Sequence, residues 1–178
     1  MQPAPPPMLV IAPRPREGLE LGAGLWAGKM DCESQNGKCS GVAAAGGINV
    51  EGSWMFSPGF GITLDVWAMA HTENAVTIEH VISTVGIKWR PVPILTLQAG
   101  IGDAHANFKY ANLTVGTSGD AGAVMGAVDL DLVRGHRWAL SIGARAGTGF
   151  YGDANNDGQP DITARNVGVG AQLVAFGF

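Results

Sequence analysis

Along most of this chain apolar and polar positions alternate with a period of two, which marks strands whose two faces meet different surroundings. Eight such segments stand out, roughly residues 18–29, 41–55, 59–71, 77–90, 94–107, 120–133, 137–150 and 162–178. In the first, Leu19, Leu21, Ala23, Leu25 and Ala27 alternate with Glu20, Gly22, Gly24, Trp26 and Gly28. In the third, Phe60, Ile62, Leu64, Val66 and Ala68 oppose Gly61, Thr63, Asp65, Trp67 and Met69. In the seventh, Trp138, Leu140, Ile142, Ala144 and Ala146 oppose Ser141, Gly143, Arg145 and Gly147. Charges inside these stretches share the face of the glycines. A soluble barrel or sandwich turns its charges outward and its large aliphatics inward. Here the inversion predicts an exterior that meets something apolar.

Composition agrees. Of the 178 residues 46% are hydrophobic and only 15% charged, a more apolar balance than soluble domains show. Yet the longest stretch free of Asp, Glu, Lys and Arg is 13 residues, whereas a spanning helix needs roughly 20 apolar residues. In hydrocarbon the other structure that pairs every backbone group is a closed barrel. The pattern therefore predicts an all-β fold over residues 18–178: an eight-stranded antiparallel up-and-down transmembrane β-barrel. Residues 1–17 hold six of the ten prolines and read as a Pro-rich extended leader. They carry no basic region followed by a hydrophobic stretch, so an exported form is expected to have lost its signal. A net charge of −4 with Lys and Arg scattered singly excludes a nucleic-acid footprint.

The connections alternate in length. Phe56-Ser-Pro-Gly59, Arg90-Pro-Val-Pro93 and Arg134-Gly-His136 are tight turns, while residues 30–40, 109–120 and 151–161 are longer; the connection from His71 to Val76 is also short. Outer-membrane barrels have short periplasmic turns and long external loops. Both chain ends should then be periplasmic, with Trp54, Phe60, Trp89, Trp138 and Phe178 near that rim as an interfacial girdle.

The span from Gly18 to Phe178, ending in Leu173-Val-Ala-Phe-Gly-Phe178, resembles the small bacterial outer-membrane barrels related to the OmpA transmembrane domain. The resemblance implies an outer-membrane location, a lipid bilayer and lipopolysaccharide as surroundings, and a last strand read by the barrel assembly machinery. Val167, Val169 and Ala171 alternate out of phase with Phe176 and Phe178, which predicts a β-bulge near Gln172.

Candidate chemistry lies mostly on the inner face. Glu20, Glu51, Asp65, Asp129 and Asp131 share it with Lys88, Arg90 and Arg145. Isolated ions there are costly, so they should pair across strands and plug the lumen. Five acids face three bases; the excess suggests water, a protonated carboxylate or a looser rim position, the last of these fitting Glu20, Arg90 and Asp131 near the periplasmic mouth. Trp26, Trp67 and Met69 point inward in the external half, where they block the lumen or line a small apolar pocket. Of the four histidines, His71, His80, His105 and His136, the pair His105 with Asp103 is the most suggestive of catalysis. No Ser stands at the His-x-Ser spacing of the lipid A deacylase barrels, so these two are read as polar rim residues. Cys32 and Cys39, the only cysteines, should form a disulfide in an oxidising compartment. Asp153-Ala-Asn-Asn-Asp-Gly-Gln-Pro-Asp161 has the Asp-x-Asn-x-Asp-Gly spacing of calcium loops. There Asp153, Asn155, Asp157 and Asp161 would supply side chains and Gln159 a carbonyl, with Ala164 where an EF-hand places Glu. A calcium ion is the one cofactor the residues point to, and a polar surface turn is the competing reading. Outward Gly46, Gly126, Ala144 and Ala171 form a smooth surface that suits a membrane protein partner. The expected role is structural or surface-interacting and non-enzymatic. The alternatives are a small ligand-binding or pore-forming barrel, a membrane subunit of a larger envelope complex, and, further off, a lipid-modifying enzyme.

Overall fold

The computed structural model describes residues 16–34, 42–111, 113–117, 121–152 and 162–177. Nine strands form in order: β1 (Gly18–Ser34), β2 (Val42–Ser57), β3 (Phe60–Glu73), β4 (Val76–Val92), β5 (Leu95–Tyr110), β6 (Leu113–Thr117), β7 (Ala121–Arg134), β8 (Trp138–Tyr151) and β9 (Ile162–Phe176). Every pairing is antiparallel, and β1 pairs with β9 from Glu20↔Phe176 to Ser34↔Ile162, which closes the sheet on itself. The short β6 pairs with the same edge of β5 that β7 occupies further down. The two together fill one position in the wall, so the barrel is eight-stranded and no wall strand lacks a neighbour.

The strands lie where the alternation places them, with two differences. The stretch 109–120, expected as a loop, contains β6. Its Leu113-Thr-Val segment is too short to show a period, and its pairing depends on the chain turning back at Ala111 (φ 46°), whose N–H donates to the Ala75 carbonyl over 3.0 Å. The β-bulge expected near Gln172 is absent: β9 keeps an unbroken register with β1 and β8 through Phe176. Val174 and Phe176 simply point inward and are buried. They close the barrel end from within, which is why two apolar residues occupy the otherwise polar face.

The turns between β2 and β3, β4 and β5, and β7 and β8 cluster at the end where the chain enters and leaves, hereafter the terminal end. The opposite end carries the longer connections and the β3–β4 turn. In that turn both central residues, Asn74 and Ala75, adopt positive φ (49° and 65°), the geometry that suits the twist of a two-residue hairpin.

The outer face is a belt of exposed aliphatics, among them Leu25, Ile48, Leu64, Ile101 and Val169. At its terminal end Trp54, Phe60, Trp89 and Trp138 also point outward, and Phe60 stands opposite Trp89. From Leu19 to Ala27 the belt on β1 runs about 27 Å along the strand at roughly 3.3 Å per residue, or about 20 Å of height at a tilt near 40°. With side-chain reach this approaches the apolar band of about 25 Å that a barrel presents to lipid. Among the described residues no helix is long and apolar enough to cross a membrane.

Candidate functional site

Three layers fill the lumen. At the terminal end and through the lower half lies a network of ions. Arg90 Nη2 donates to Glu20 Oε2 (2.6 Å) and its Nε to Thr96 Oγ1 (3.1 Å). Lys88 Nζ donates to Glu51 Oε1 (2.6 Å) and lies 3.5 Å from Glu20. Gln98 Nε2 donates to the other Glu51 oxygen (2.8 Å). Arg145 from β8 reaches Asp65 on β3, Glu51 on β2 (3.4 Å) and Gln172 on β9 (3.0 Å), and its guanidinium stacks 4.6 Å from the Trp26 ring of β1. One cation thus ties its own strand to four others. Asp131 accepts from Ser141 Oγ (2.7 Å) and pairs with Arg134 (3.3 Å). Asp129 is buried against Gly143, and its two oxygens accept no hydrogen bond from the described residues.

All eight predicted lumen charges are inside, but the expectation of looser positions at the mouth is corrected. Glu20, Arg90 and Asp131 are 0%, 6% and 9% exposed. The cause is Arg16, which folds into the terminal mouth, pairs with Asp131 (3.3 Å) and lies 4.3 Å over the Phe176 ring. Burial foremost, then the neighbouring Arg90, lowers the Arg16 guanidinium to about 10, still protonated at neutral pH. With Arg16 and Arg134 the bases number five against five acids, so the apparent excess of acid disappears. Arg16 was not legible because it precedes the first alternating segment. Gln98, Gln172, Asn49 and Ser141 were legible, since each lies on the same strand face as the charges.

Above the ions a layer of Trp26, Trp67, Met69, Ile82 and Met125 closes the lumen. The two indoles meet edge to face at 6.4 Å, and Trp26 Nε1 donates to Asn49 Oδ1 (2.7 Å). Of the two readings of this face, these residues take the blocking one. The pocket exists too, one layer further up. It is a cup of about 230 Å³ toward the loop end, with Met30, Ile78, Phe108 and Ile162 among its walls and His80 and Tyr151 at its base.

Solved structures with a similar course of chain include Ail, the attachment invasion locus protein of Yersinia pestis, 12% identical over 89% of this chain and 99% of that one, with a TM-score of 0.59. Neisserial surface protein A is 11% identical over 88% and 96%, with a TM-score of 0.60. The N-terminal β-barrel domain of Pseudomonas aeruginosa OprF is 8% identical over 89% and 98%, at 0.50. This chain has the eight-stranded barrel fold of these proteins. No protein-family model and no curated protein sequence matches it.

Asp103 and His105 fall on the outward face of the wall. They stand on β5 opposite Ser83 and Val81 of β4, with His105 Nε2 3.1 Å from Asn107 Oδ1 and the Lys109–Glu79 pair beside them. The wall separates them from the cup. Among the described residues no group of His, Cys, Asp and Glu is arranged to hold a metal ion. The predicted calcium ligands Asp153, Asn155, Asp157, Gln159 and Asp161 all lie outside the described residues. Cys32 lies on β1 opposite Ala164, and its expected partner Cys39 lies outside the described residues.

Proposed function

We propose that the protein is a non-conducting outer-membrane barrel with a structural or surface-interacting role rather than an enzymatic one. The observation that carries this reading is the filled lumen: ion pairs through the terminal half, then the Trp26–Trp67–Met69 layer across the bore. In this reading the stack keeps water and small solutes from passing through the bore. The exposed aliphatic belt supports a lipid bilayer as the solvent of the outer wall. In this reading both chain ends are periplasmic, the loop end meets lipopolysaccharide, and the barrel assembly machinery inserts the chain by its last strand. A ligand-binding role is the second reading, favoured by the apolar cup above the plug. Refolded protein in a planar bilayer tests the first. It should give no discrete conductance steps, whereas steps from the wild-type barrel that Trp67→Ala enlarges would overturn the reading.

A further inference from the structure

The cup at the loop end exists because small residues stand where the layer beneath carries large ones. Ala43, Ala106 and Ala164 line it, one layer above Trp26, Trp67, Met69 and Met125. Its other walls are Met30, Ile78, Phe108 and Ile162. Phe108 and Ile162 are 43% and 41% exposed although their parity turns them into the bore, so large apolar side chains meet solvent on the inner face. The polar side chains at its edge are engaged elsewhere. His71 Nδ1 lies 2.7 Å from the Ala44 carbonyl oxygen and its Nε2 3.6 Å from Glu73. His80, 1% exposed, turns Nδ1 to Asn166 Oδ1 (2.9 Å) and packs Nε2 at Gly149, where a Cβ would stand 3.0 Å from it. Asp31 shares the outward parity of β1, opposite Val42 and Arg165. Water held in such a space needs about two to four polar partners, which an apolar lining does not supply. The connections at this end carry no side chain fit to fill it either: residues 35–41, 118–120 and 153–161 contain no Leu, Ile, Val, Met or aromatic residue. The leader joins the barrel through Arg16 at the opposite end, beneath the plug.

We propose that the cup binds one compact, uncharged and wholly apolar molecule of one or two rings, held by contact with Met30, Ile78, Phe108 and Ile162 and by no hydrogen bond. The size fits. An apolar cavity of roughly 150 Å³ holds benzene, so about 230 Å³ takes a substituted ring or a bicycle. Met30 adapts its unbranched chain to the outline of the occupant, and the driving force is the apolar area that both withdraw from water. The proposal rests on the ligand-binding reading above and uses the plug as the floor of the cup. Conductance reports on the plug and titration on the cup, so the two fail separately.

The test titrates toluene into the folded barrel in lipid nanodiscs and follows two sets of carbon-13 methyl resonances. Met30, Ile78 and Ile162 report on the cup, while Ile48, Ile101 and Ile142 on the outer wall report on toluene dissolved in the lipid. The cup methyls should shift along a saturation curve, and the wall methyls should drift in proportion to the toluene added. Phenol, of the same size with a hydroxyl in place of the methyl, should bind about tenfold or more weakly, because the cup leaves that hydroxyl without a partner. Ala164→Trp, which fills the cup from β9, should abolish the saturable shifts of Met30 and Ile78 while the barrel still migrates as folded. Cup methyls that merely follow the wall methyls, phenol bound as tightly as toluene, or saturable shifts retained in folded Ala164→Trp would each overturn the proposal. Because the comparisons of methyl sets and of probes need only wild-type protein, a variant that fails to fold does not remove the test.

Discussion

Arg145 shows what a single buried charge does in this lumen. It is fully enclosed and meets Asp65, Glu51, Gln172 and Trp26 from four other strands. Removing one member of such a set strands its partner without water. Arg145→Leu should therefore cost about 3–5 kcal/mol of stability, the range for breaking a buried pair. Replacing Arg145 and Asp65 together should cost less than the two single changes summed, with a coupling of about 0.5–3 kcal/mol. Urea unfolding in lipid vesicles measures the cycle, and additive effects would show that the pair does not act as one. Asp129 differs in kind. Its neighbours are Thr96 and Gly143 rather than a base at bonding distance.

At the scale of the strand, the period of two decides which residues share a face but not how far a strand runs. The alternation in β1 fades after Gly28, yet pairing with β9 continues to Ser34↔Ile162, because two long neighbours hold each other beyond the alternating belt. That extension puts Cys32 on a strand rather than in a loop and sets where its side chain starts. Among the described residues there is no free cysteine. Thiol titration of the unfolded, unreduced protein should thus find none, since Cys39 is the sole other cysteine in the chain; two reactive thiols would refute a Cys32–Cys39 bridge. The last strand teaches the reverse lesson. Its phase runs true to Phe176, with the apolar Val174 and Phe176 on the inner face.

For the whole molecule, closure is the dominant fact. With β1 hydrogen-bonded to β9 no wall strand offers a free edge, so unfolding must break the closed ring. The protein should accordingly migrate faster unboiled than boiled in detergent gels. It should also unfold slowly, and identical mobility before and after boiling would contradict a closed barrel. The same closure lets opposite walls touch. The Arg145–Asp65 pair joins residues 80 apart in the chain, and His80 with Asn166 joins residues 86 apart.

Face, strand number and topology were determined by the sequence itself, because in a β-strand the side-chain direction follows from parity alone. Glu51, Asp65 and Arg145 had to share the lumen with the glycines once the aliphatics faced outward. Which acid meets which base was decided only in three dimensions. Partners across the bore depend on strand tilt and on the stagger with which the ring closes, and neither is written in any local stretch. For the same reason Arg16, outside every alternating segment, became part of the lumen, and Phe176 turned inward beneath it. His80, one histidine among four on parity, became the base of a cup because Asn166, Gly149 and Tyr151 converge on it from β8 and β9.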